Sequence, residues 1–131
     1  MGKTTLNPSE FSNVVNGLEF VDAGLSVEQA TIATAVIGRL TVLRPSVLRT
    51  FAIAIADAGS AGQTDVRVRK NGTEVANSPV SIDNAAANDS TALANVDEDL
   101  VPGDLLEIEV TAAPTGGTGL TASFETVRNF A

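Results

Sequence analysis

The chain contains no cysteine, no histidine, no tryptophan and no tyrosine. Without cysteine there is no disulfide frame and no thiolate metal site. Without histidine the commonest general base and the commonest metal ligand are both missing. Without tryptophan or tyrosine there are no large amphipathic rings on which sugars or bases stack. Phenylalanine is the only aromatic, with five copies, and no apolar run approaches the roughly 18 residues of a membrane span. A secretory leader is not expected either, because Lys3 in Met1–Pro8 is followed by no apolar stretch. These absences argue against an enzyme and for a protein that works by binding, made and folded in a cytoplasm, with no cofactor.

What is present is acidic and β-rich. The 131 residues fit one domain, large enough to bury roughly two-thirds of its unfolded surface. Eight basic and sixteen acidic residues give a formal charge of −8, which repels a phosphate backbone and argues against nucleic acid as a partner. The charge is uneven: apart from Arg128, every Lys and Arg lies at or before Lys70. Such asymmetry either orients the molecule on a charged partner or simply keeps it soluble.

The one clear helix signal is at the start. Asn7 is a cap, Pro8 fits the first helical position, and Glu10 stands three residues after the cap. Phe11, Val14, Val15 and Leu18 follow at helical spacing, and Asn16-Gly17 stops the run. A short helix over residues 8–16 is expected. Two turns are not stable alone, so the stripe must dock, either on its own domain or on a neighbouring subunit. Residues 1–25 are therefore read as an N-terminal arm, and residues 26–131 as the folded domain.

Residues 26–44 carry two signals. Ser26-Val27-Glu28-Gln29 imitates a helix capping box, whereas Thr31–Ile37 and Leu40–Leu43 are rich in β-branched and aliphatic residues. Strands are the favoured reading. From residue 47 onward the pattern is consistently β. Phe51, Ile53 and Ile55 alternate with alanines, and Val66 and Val68 alternate with Arg67 and Arg69. Asn71-Gly72 suits a two-residue hairpin turn, with a return strand at Glu74–Ala76. Short strands follow at Val80–Ile82 and Thr91–Val96, and Leu106, Ile108 and Val110 alternate with Glu107 and Glu109. After a glycine-rich loop at Pro114–Gly119, a last strand carries Leu120, Ala122 and Phe124. Turn signals about every ten residues predict an all-β fold: a single antiparallel β-sandwich, jelly-roll-like.

Chemistry finds little purchase. Thr115–Gly119 lacks the lysine of a phosphate loop and precedes a strand. Asp97, Glu98, Asp99 and Asp104 offer oxygens to calcium, without the spacing of an EF-hand. No two carboxylates are marked out as a glycosidase pair. Arg67, Arg69 and Lys70 are read in two ways: as cross-strand partners of residues such as Glu107 and Glu109, or as a basic patch that docks on an acidic partner.

Val66-Arg67-Val68-Arg69-Lys70-Asn71-Gly72, then Pro102-Gly103-Asp104-Leu105-Leu106-Glu107-Ile108-Glu109-Val110, then Gly117-Thr118-Gly119-Leu120-Thr121 resemble modules of tailed-bacteriophage structural proteins. The likeness covers roughly residues 47–126. It implies a virion protein of the capsid cement or decoration type, assembled in the host cytoplasm. Its partners would be copies of itself, with a trimer favoured, and the major capsid protein. The alternative it implies is a tail or fibre module that binds a host glycan. Under the first reading the interface would draw on Phe11, Val14, Val15, Leu18, Arg67, Arg69 and Lys70.

Overall fold

A computed structural model of the chain describes residues 21–129. The expected helix, with Phe11, Val14, Val15 and Leu18, lies outside the described residues. Within them there are nine strands: β1 (Val21–Thr31), β2 (Ala35–Thr41), β3 (Ser46–Ile55), β4 (Gln63–Lys70), β5 (Thr73–Glu74), β6 (Val80–Asp83), β7 (Ser90–Leu100), β8 (Leu105–Ala112) and β9 (Thr118–Arg128). No described residue is helical.

Side-chain alternation sorts these strands into two sheets. Sheet A has the order β1-β9-β3-β7; sheet B has β2-β8-β4, with β5 and β6 both pairing to the outer edge of β4. Every pairing is antiparallel. The chain changes sheet at each connection except through β4, β5 and β6, the connectivity of a jelly roll. The expected antiparallel sandwich is the fold.

The core lies between the sheets. Leu48, Phe51, Ile53 and Ile55 from β3 and Leu120, Ala122 and Phe124 from β9 meet Val66 and Val68 from β4 and Leu106, Ile108 and Val110 from β8. Each large aliphatic or aromatic side chain buried this way contributes about 1.5–3 kcal/mol. Leu48 and Phe51 both face inward although three residues apart, because a bulge between Leu48 and Thr50 resets the alternation.

Three boundaries differ from the sequence reading, each for a local reason. The β-branched run at 31–37 is interrupted between β1 and β2. There the Gln29 side chain grips the turn, donating to Ala33 O at 3.1 Å and accepting from Ala33 N at 3.2 Å. The residue that imitated a helix cap thus closes a strand–strand connection. β1 also takes in Val21–Leu25, assigned above to the arm, because Leu25 pairs with Phe124 and packs against the core. The return strand after Asn71-Gly72 is only Thr73–Glu74. Beyond it, buried Ser78 substitutes for a strand neighbour: its Oγ accepts from Val68 N at 3.1 Å and donates to Val68 O at 3.2 Å. The hairpin turn itself is as expected, with φ of 53° at Asn71 and 85° at Gly72.

Gly38 lets the two sheets close along one side. A Cβ there would lie 2.8 Å from Val27 Cγ1 and 3.0 Å from Leu25 Cδ2, both on β1. Gly38→Ala is expected to force β1 and β2 apart and destabilise the fold by about 1–3 kcal/mol, read as a lower urea midpoint at unchanged slope.

Candidate interaction surfaces

Residues that alternate away from the core form two outer faces of opposite character. On sheet B, register places Arg39 and Arg69 on either side of Glu107, and Arg67 opposite Glu109. Arg39 Nε lies 2.8 Å from one Glu107 oxygen, and an Arg69 amino nitrogen lies 2.9 Å from the other. Arg67 reaches Glu109 at 2.6 Å and Glu74 at 3.2 Å. Three guanidiniums and three carboxylates thus form one continuous cross-strand ladder. The hydrogen bond from Arg39 holds the Glu107 carboxyl below its ordinary range, with Arg69 adding to the effect. Hydrogen bonds to Glu109 and Glu74 raise Arg67. The expected cross-strand pairing is what Arg67 and Arg69 do.

Lys70 acts across the sandwich instead. Its Nζ pairs with the Glu98 carboxylate and donates to Asp99 O at 3.3 Å, joining the end of β4 to β7 of the other sheet. The contact with Glu98 raises the lysine above its ordinary value. Next to it, Asn71 Nδ2 donates to Asp104 at 2.9 Å, and Asn71 Oδ1 accepts from Leu105 N at 2.9 Å. Asp104 also accepts from Val101 N at 2.9 Å. The backbone continues this clasp, with Val42 N donating to Asp104 O and Gly103 N to Val42 O, both at 2.8 Å. Three connections (β2–β3, β4–β5 and β7–β8) are thereby fastened at one end of the sandwich. The Val101 and Asn71 hydrogen bonds hold the Asp104 carboxyl below its ordinary range.

Three of the four carboxylates in the acidic run have partners within the chain. Asp97 pairs with Arg49, Glu98 with Lys70, and Asp104 with Asn71. Among the described residues no three potential ligands gather to hold a metal.

Sheet A presents the other kind of face. One cross-strand row reads Ser26, Ser123, Ala52, Leu93 and the next reads Glu28, Thr121, Ala54, Thr91. Nearer the clasped end a row reads Val21, Val127, Val47, Asp99. Leu93 is 63 % and Val21 59 % exposed, whereas Val127 is buried; between these rows lies a polar one, Gly24, Glu125, Thr50 and Asn95, with the Arg49–Asp97 ion pair beside it. At the same end, a groove of about 190 Å³ opens between the start of β1 and the end of β2, lined among others by Val21, Ala23, Leu40, Val42 and Leu43.

The basic residues singled out from the sequence are therefore brought together, but into pairs within the chain. The small face of β3, where alanines alternate with Phe51, Ile53 and Ile55, is legible in the sequence; that Ser26, Ser123 and Leu93 join it in one surface is not. The further signal is the lone large residue Leu93, which the register sets opposite Ala52. No protein-family model matches the chain, and no curated protein matches it.

Asp104 and Glu107 set the acid behaviour. Their carboxyls sit below the ordinary values of 3.8 and 4.5, so the ionised form is the one the fold prefers. The stabilisation is complete above those values and is lost as pH falls through the depressed folded-state ones. Urea unfolding is expected to show constant stability near neutrality and a fall below about pH 4. Asp104→Asn is expected to lower stability at neutral pH by about 1.5–3 kcal/mol and to flatten the acid fall.

Proposed function

We propose that the protein is a non-enzymatic structural component of a bacteriophage particle, a capsid cement or decoration protein. It stabilises the head by joining copies of itself, as a trimer, to the major capsid protein. The observation that carries this reading is the contrast between the two outer faces. The ladder on sheet B satisfies its own charges, whereas sheet A carries small side chains around Ala52 and Ala54 with Leu93 exposed, alongside Glu28, Glu125 and the Arg49–Asp97 pair. Another protein can approach those small side chains closely, and the neighbouring Glu28 and Glu125 offer it charges to pair with. The resemblance of residues 47–126 to phage structural modules supports the same reading, and jelly rolls recur in viral capsid domains. The stripe Phe11, Val14, Val15 and Leu18 gives a second contact, reaching a neighbouring subunit.

Particles lacking this protein, mixed with it and viewed by electron microscopy, are expected to show it bound at regular positions, and sedimentation to show a stable oligomer. Ala52→Arg, at the centre of the sheet A face, is expected to weaken rebinding by more than about tenfold, since an unpaired charge in a closed interface costs about 2–5 kcal/mol. Its melting temperature should stay within a few degrees of the parent. A protein that remains monomeric at high concentration and ignores the particles overturns the reading. Glycan-array binding without particle affinity assigns it to a tail or fibre instead.

A further inference from the structure

The Asn71 side chain has a reactive neighbour. In an Asn-Gly pair the backbone nitrogen of the glycine can attack the side-chain amide carbon, and glycine leaves that approach unobstructed. Here both residues are exposed to water, and a Cβ added to Gly72 would meet nothing within 4 Å. What restrains the amide is the clasp. Its Nδ2 donates to Asp104 and its Oδ1 accepts from Leu105 N, each at 2.9 Å, while Asn71 N donates to Leu105 O at 2.9 Å. Both ends of the side chain are thus pinned to the β7–β8 connection, with the backbone held at its φ of 53°. The attack needs the amide carbon to swing toward Gly72 N, which these bonds forbid.

We propose that Asn71 is a site of spontaneous deamidation that the clasp holds in check. While the clasp is closed the amide persists. When this end of the sandwich opens, Gly72 N attacks Asn71 Cγ and a cyclic imide forms. The bond from Cγ to Nδ2 breaks, and ammonia leaves with the Gly72 amide proton. Water then opens the ring at either carbonyl, giving aspartate or its β-linked isomer at position 71. Water is the only co-reactant. The product cannot re-form the clasp. An aspartate has no proton to donate to Asp104, so two carboxylates would meet where an amide met one, and such a pair cannot both stay ionised in contact. The isomer lengthens the backbone of a turn whose register is fixed by the pairing of Lys70 with Thr73. An opening that lasts long enough to react is therefore irreversible, and it loosens the three connections fastened here. The site does not depend on the particle assignment above; loss of either leaves the other standing.

The full chain, incubated at mildly alkaline pH and followed by peptide-mapping mass spectrometry, is expected to convert Asn71 at least about tenfold more slowly when folded than in concentrated guanidinium, since only the opened fraction reacts. Asn16-Gly17, the other such pair in the sequence, calibrates the denatured rate. Asp104→Ala, held below its melting temperature, should raise the folded-state rate toward the denatured one. Made directly, Asn71→Asp should lower the melting temperature by about 5 °C or more. Adding Asp104→Asn should recover part of that loss, because donor and acceptor have then exchanged places. Equal rates in the folded and denatured chain overturn the proposal, as does an Asn71 that survives in guanidinium while Asn16 converts. So does an unchanged rate in Asp104→Ala, an Asn71→Asp protein that melts with the parent, or a double variant no more stable than Asn71→Asp alone. If Asp104→Ala does not fold, the parent's two rates and the melting temperatures of the Asn71→Asp proteins decide the matter.

Discussion

Phe51 and Phe124 stand opposite one another on neighbouring central strands of sheet A, both buried, and are the only aromatic side chains in the core of the described residues. The rest of the space between the sheets is aliphatic apart from the buried Thr64 and Thr126. Aromatic rings bring the largest buried area per residue, so this pair sets the separation of the sheets at the middle of the sandwich. Either side of it, valine, leucine and isoleucine fill the space. Gly38 then allows β1 and β2 to meet along one side. The composition, poor in aromatics, and the architecture, closed at its side through a glycine, are the same constraint seen twice.

The strict alternation that buries this core also dictates what lies outside. Once Val66, Val68, Leu106, Ile108 and Val110 point inward, Arg67, Arg69, Glu107 and Glu109 have to point outward on adjacent strands. Register then decides whether they repel or pair. Arg39 and Arg69 flank Glu107, so the carboxylate is buried beneath two guanidiniums. A buried charge is tolerable only when compensated in this way. The result is a face with no charge to offer, while the net acidity of the molecule is carried elsewhere.

Much of this was legible in the sequence because period-two alternation is a physical consequence of burying one face of a strand. β3, β4, β8 and β9 show it plainly, and Asn71-Gly72 marks its hairpin because both residues take positive φ. What was not legible depended on distant partners. Gln29 clamps Ala33 where the chain crosses from β1 in one sheet to β2 in the other. Ser78 reads as loop, and its role exists only where Val68 passes beside it. The extension of β7 through Asp97, Glu98 and Asp99 was hidden by a charge run that Arg49 and Lys70 partly neutralise. The small face of β3 was legible, but the sheet A surface it belongs to was not, because rows such as Ser26, Ser123, Ala52 and Leu93 are assembled from four separate strands.

The pairing of β1 with β9 joins the first strand of the sandwich to the last. On a ribosome, β1 emerges with its long-term partner still unwritten. At about 5–20 residues per second, the wait is on the order of 5–20 s. Throughout it, Leu25 and Val27 lack the layer they pack against, and the β3 edge reserved for β9 stands open. Non-local closure of this kind makes folding slow relative to helical proteins of equal size. The nascent chain must therefore be kept from pairing with its neighbours on the same messenger, and the highly acidic second half of the sequence supplies mutual repulsion during that interval.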